Sequence, residues 1–171
     1  MNILIGGDFC ITPNYLDKSL FVSTVIELFN KSDYNIVNLE CPITKDIAEN
    51  KKLKTGPHLR SDERIINHLK DLNINAVTLA NNHLLDYGQK GLYDTFHTLQ
   101  SHKFSYVGAG KNCEEASKPL IVEIQNLKIA IVNFCENEWS IASTNEGGAN
   151  PLDIVDNTNQ IKEAKQLADF V

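Results

Sequence analysis

Long apolar runs are missing from this sequence, and no stretch is long enough to span a bilayer. Close cysteine pairs are missing too: Cys10, Cys41, Cys113 and Cys135 form no CxxC unit. Basic residues are in deficit, with 16 Lys and Arg against 22 Asp and Glu. The net charge of −6 and pI near 5.3 exclude nucleic acid as the main partner, because phosphate backbones need basic patches. The basic residues that exist are scattered, apart from Lys51-Lys52-Leu53-Lys54, which reads as a solvated loop. No secretory signal is legible, since the first strand starts at residue 2. There is no internal repeat and no low-complexity tract. A cytoplasmic protein with reduced thiols is the expectation.

What is present is a patterned α/β chain. With 171 residues and 42% hydrophobic content it suits one domain, 1–171, with a real core. Three short apolar runs each end in a side chain able to bind a metal. Residues 2–6 lead into Gly7-Asp8, 35–39 into Glu40, and 76–80 into Asn81-Asn82-His83. Such runs separated by helical stretches read as parallel strands. Parallel strands share one carboxyl edge, and ligands bind there. Asp8, Glu40, Asn82 and His83 are therefore expected around one cleft. Oxygen and imidazole donors suit hard or borderline divalent metals.

Between these runs, Leu20, Phe21, Val25, Leu28 and Phe29 share one helical face. Residues 41–60 form a long connection, a type that is often functional or mobile. Ser61 reads as an N-cap for a helix with Ile65, Ile66, Leu69 and Leu72 on its apolar stripe. Strands are expected at 74–80 and 104–107, helices at 91–99 and 156–169, and a loop at 143–151. Residues 120–124 and 128–134 flank Asn126-Leu127 as a hairpin. Phe170-Val171 reads as the first step of another strand, and so as a sign of a cut chain.

Each candidate has a plainer alternative. Asp8 also suits a cap or turn, Glu40 a solvated loop acid, and Asn82-His83 a turn. Asp86 suits a brace that orients His83. Cys10 is either a soft ligand or a small apolar filler. His58, His68, His97 and His102 lack partner spacing, with His58 in a loop able to cover the site. Gly108-Ala109-Gly110-Lys111 lacks the full phosphate-loop pattern.

Taken in order, Gly7-Asp8, the 38–44 stretch Asn-Leu-Glu-Cys-Pro-Ile-Thr, the 79–88 stretch Leu-Ala-Asn-Asn-His-Leu-Leu-Asp-Tyr-Gly, and Val107-Gly108-Ala109-Gly110 resemble the bacterial capsule-synthesis protein A family. That family is associated with poly-γ-glutamate biosynthesis and is similar to calcineurin-like metallophosphoesterases. The resemblance implies an α/β fold, a four-layer α/β/β/α metallophosphoesterase-like sandwich, here incomplete at its C-terminal end. It implies metal ligation by Asp8, Glu40 and Asn82, with Mn or Zn as the divalent metal. His83 would protonate or stabilise the leaving group, with Asp86 beside it. Cys10 stands where the phosphoesterases commonly carry His, and the family's later histidine motifs would follow Val171. The expected site is thus incomplete, and the chain is expected to be inactive alone.

The implied function is a metal-dependent hydrolase-like step on an anionic small-molecule ester or polymer intermediate in capsule or poly-γ-glutamate synthesis. The alternative is a non-catalytic scaffold or binding module in the same assembly. Self-association through the truncated sheet edge is expected.

Overall fold

The computed structural model describes residues 1–45 and 50–171. Residues 46–49 of the long connection lie outside the described residues. Four strands, β1 (Ile3–Phe9), β2 (Tyr34–Leu39), β3 (Ala76–Thr78) and β4 (Ser105–Val107), form one all-parallel sheet in that order. The crossovers carry α1 (Ser23–Asn30), α2 (Ile65–Asp71) and α3 (Gly88–Ser101). The apolar residues of one sheet face, Val37, Leu39, Val77 and Leu79, pack with Phe29, Ile66, Leu69, Leu92 and Leu99 of these helices. Burial on that face is nearly complete, and the strand starts are apolar on the other face too, so these strands read as continuous apolar runs.

The opposite face is divided along its length. Near the strand starts, Ile3, Ile5, Tyr34 and Ile36 line an apolar cavity of about 410 Å³ with β7 (Leu127–Ile131). Near the strand ends the same face turns polar. Asp8 is the register partner of Asn38, and Asn38 of Thr78. Neighbouring partners in a parallel sheet point the same way, so these three side chains share a face, and Glu40 follows two residues after Asn38. The β1 register slips between Ile5 and Asp8. That bulge lies inside the strand and lets an apolar pattern end in a polar side chain on the cleft face, as bulges near active sites do.

After the sheet come β5 (Ala109–Gly110), α4 (Cys113–Ala116), the hairpin β6 (Leu120–Ile124) and β7, then β8 (Gly148–Ala149) and α5 (Ile154–Leu167). β5 pairs with β8 antiparallel, so the 143–151 segment is not wholly loop. The hairpin turn is Gln125-Asn126, both at positive φ, and Leu127 already belongs to β7. Such a turn matches the strand twist, which places it one residue earlier than the sequence suggests. Phe170 makes a parallel bridge to Ile129, with Ala130 N donating to Phe170 O at 2.8 Å. The last residues therefore do lie strand-like beside β7.

Two helical expectations shift. Leu20 and Leu28 are exposed rather than on the core face of α1, which is formed by Val25, Ile26 and Phe29. Ser61 does not cap α2. Its hydroxyl donates to Ile11 O at 2.7 Å, and it bridges Ile43, closing the 41–61 excursion back onto the strand ends. By contrast, Asp153 caps α5 by accepting from Val155 N and Asp156 N. No helix among the described residues is long and apolar enough to cross a membrane.

Candidate functional site

The site is built on the carboxyl ends of β1, β2 and β3. Asn38, a polar residue inside an apolar strand, organises it. Its amide nitrogen donates to Asp8 Oδ1 at 2.7 Å. Its oxygen accepts from Thr78 Oγ1 at 3.1 Å and faces Asn81 Nδ2 at 3.4 Å. Asn81 also donates to Leu39 O at 3.0 Å and accepts from His83 N at 3.0 Å. Asn81, not Asn82, is therefore the turn-shaping residue, closing an Asx-turn over the following two residues.

That leaves Asn82 free for other work. Its backbone oxygen accepts from Trp139 Nε1 and Ser140 Oγ, both at 2.8 Å. Its side-chain amide makes no hydrogen bond among the described residues. Beside it, Asn81, Asn82, Cys135, Glu136 and Glu138 line a cavity of about 290 Å³. Gly108, at φ +86°, lets Asn133 approach: a Cβ there would lie 2.1 Å from Asn133 Oδ1. Asn133 Oδ1 in turn accepts from Ala80 N at 2.7 Å, holding the end of β3.

His83 stands at the centre. Its Nδ1 lies 2.7 Å from Asp86 Oδ2, and its Nε2 lies 3.9 Å from Glu40 Oε1. Asp86 is fully buried, while the His83 side chain is 12% exposed. Asp86 Oδ2 also accepts from Leu59 N at 2.6 Å, and its Oδ1 pairs with the Lys54 ammonium. The Lys54 side chain is 1% exposed, so the expectation of a solvated lysine loop is wrong at this residue. Its nitrogen lies 5.3 Å from the centre of the Trp139 ring. His58 packs within its own loop, with Nε2 at 2.7 Å from Lys52 O and its ring edge-on to Tyr87. His68 lies far from it in role, donating from Nε2 to Leu16 O within the core.

Cys10 and Cys41 meet at the ends of β1 and β2. Cys41 hydrogen-bonds Cys10 and holds that thiol below its ordinary value, against burial and the charges of Glu40, Asp8 and Asp86. The same bond, then burial, pushes Cys41 well up. Glu40, Asp8 and Asp86 all act on Cys10 through their charge, Glu40 most strongly. A protonated Cys41 is a small buried filler.

A divalent cation fits this donor set in kind but only partly in number. Asp8 Oδ2, the Glu40 carboxylate and the Asn82 amide oxygen have no hydrogen-bond partner among the described residues, and hard cations take such oxygens. Yet among the described residues no three His, Cys, Asp or Glu side chains gather closely enough to hold a metal. Lys54, Asn38, Asn81, Asn133 and Trp139 were not assigned a role in the site from the sequence. Only Asn38 carried a usable signal, as a strand-disfavoured residue at period two from Glu40.

Comparison with known proteins agrees with the order of these motifs. Residues 6–171 match the family model for the bacterial capsule synthesis protein PGA_cap. The chain is 31% identical over 147 residues to the PGA biosynthesis protein CapA of Bacillus subtilis, covering 84% of this chain and 38% of that one. It is 28% identical over 141 residues to the capsule biosynthesis protein CapA of Bacillus anthracis, covering 79% of this chain and 34% of that one. The chain thus spans little more than a third of these relatives' length. With its parallel sheet, flanking helices and matching motifs, the chain belongs to the bacterial capsule synthesis protein family and has that family's metallophosphoesterase-like α/β fold.

Proposed function

We propose that this chain carries a metal-assisted hydrolytic site acting on an anionic ester or polymer intermediate of capsule or poly-γ-glutamate synthesis. The observation that carries the reading is the His83–Asp86 pair, with Nε2 turned toward Glu40 and the cleft. A carboxylate on Nδ1–H orients an imidazole and leaves Nε2 to hold or deliver a proton. Asp8, Glu40 and Asn82 would hold a divalent metal such as Mn or Zn. When bound, that metal supplies charge neutralisation of the substrate anion and activation of water. His83 would meet the leaving oxygen, and Asp86 would keep its ring in place. Glu40 limits where an anion can sit, since it would repel one unless neutralised.

The second reading is a non-catalytic binding module in the same assembly. It is favoured by the absence of a three-residue metal cluster among the described residues. Calorimetric titration with Mn²⁺, paired with hydrolysis of an aryl phosphate diester, tests the two. The donor count leads us to expect weak single-site binding at best, lost in Asp8→Asn, and slow turnover lost in His83→Asn. Turnover that is unchanged in His83→Asn refutes the assignment of His83. No metal binding and no turnover leaves the binding-module reading.

A further inference from the structure

Lys54 is a cation buried where the site's proton-handling pair is anchored. A buried ammonium is costly unless it is paired and hydrogen-bonded. This one pairs with Asp86 Oδ1, lies 3.2 Å from His83 Nδ1, and is roofed by Trp139. The loop that delivers it is tied down twice at Lys52. Lys52 N donates to Asp86 O at 3.0 Å, and Lys52 Nζ donates to Trp139 O at 2.5 Å.

The tautomer of His83 follows from these contacts. An ammonium has only donors. If it donated to an unprotonated Nδ1, then Asp86 Oδ2 would face that nitrogen at 2.7 Å with no proton between two acceptors. A proton on Nδ1, donated to Oδ2, satisfies both groups. The last torsion of an aspartate is soft. With only Oδ2 held, by Leu59 N–H and the imidazole, the carboxylate could turn and release the ring. Oδ1 accepts no hydrogen bond among the described residues, so the Lys54 ammonium, paired with it by charge under the Trp139 ring, supplies its one anchor.

We propose that Lys54 is a positioning residue: by holding Asp86 Oδ1 it fixes the carboxylate plane, and so fixes His83 as the Nδ1–H tautomer with Nε2 facing Glu40. This rests on the reading of His83 as the residue that handles the proton.

Ring-nitrogen NMR of the histidine-labelled full chain tests it. In the unaltered protein the neutral His83 ring should show one tautomer, protonated at Nδ1. Lys54→Met should lose that single-tautomer pattern and give averaged ring-nitrogen resonances. Lys54→Arg, which keeps charged donors, should retain it. An unchanged pattern in a folded Lys54→Met protein overturns the proposal and leaves Lys54 as a counter-charge for the loop. The Nε2–H tautomer in the unaltered protein overturns it whether or not either variant folds. No metal, substrate or turnover enters the measurement, so failure here and failure of the hydrolytic reading are separable.

Discussion

Removing one member of the Lys54–Asp86 pair should cost far more stability than removing both. The two side chains are 1% and 0% exposed, so neither charge is relieved by water when its partner goes. At an effective dielectric near 20 and a charge separation of about 4 Å, the attraction is about 4 kcal/mol. Breaking a buried pair from one side costs roughly 3–5 kcal/mol. Against a typical total of about 5–15 kcal/mol, that is a large share. Lys54→Met should therefore lower the urea midpoint by about 2 M, taking a slope of roughly 2 kcal/mol/M. The double variant Lys54→Met/Asp86→Asn should be more stable than Lys54→Met alone, because it removes the stranded charge. The single tryptophan, Trp139, sits over Lys54 and reports local loosening by fluorescence, while circular dichroism follows global unfolding. Lys90→Met is the control. Its partner Asp94 is reached across a surface where Lys90 is 58% exposed, and such pairs are worth about 0–1 kcal/mol. Additive single effects, or a Lys54→Met loss no larger than that of Lys90→Met, would refute the reasoning.

Two further outcomes are expected. Gly108→Ala should lower the thermal midpoint, because it combines a left-handed φ of +86° with a Cβ placed on Asn133 Oδ1. It should also loosen the end of β3, which amide exchange at Ala80 would detect as faster exchange. Stability should also fall in the alkaline range through Cys135, whose thiol is pushed from 9.0 up to about 11 by burial and then by Glu138 and Glu136. The unfolded thiol loses its proton first, so the folded state binds more protons between pH 9 and about 11, and stability declines across that window. Urea midpoints measured from pH 8 to 11 should drop less steeply in Cys135→Ser; equal slopes would remove Cys135 as the cause.

The strand ends were legible because strands apolar on both faces leave an unbroken apolar run, and the first polar residue marks its edge. Glu40 and the 81–83 block stand at such edges. Asp8 was found for a partly different reason, since it lies inside β1 and reaches the cleft through a bulge. Element boundaries were less legible. β3 is Ala76–Thr78 rather than the longer apolar run 74–80, because the run's two ends are buried but bonded outside the sheet, Ile74 N to Leu69 O and Ala80 N to the Asn133 side chain. The Gln125-Asn126 turn was displaced for want of a glycine to mark it.

By itself the sequence determined the α/β class, the order of the strands' carboxyl ends and the family, since these follow from hydrophobic periodicity and local motifs. It also offered His83 and Asp86 as a pair three residues apart. Tertiary structure alone decided what Asp86 does, because its partners Leu59 and Lys54 arrive from a connection remote in sequence. Nothing in Lys51-Lys52-Leu53-Lys54 distinguishes its last lysine from a solvated one. Only the closure of Trp139 over the 50s loop takes water away from Lys54. Charge pairing becomes an organising force once water is excluded, and that exclusion is a property of the fold rather than of any local pattern.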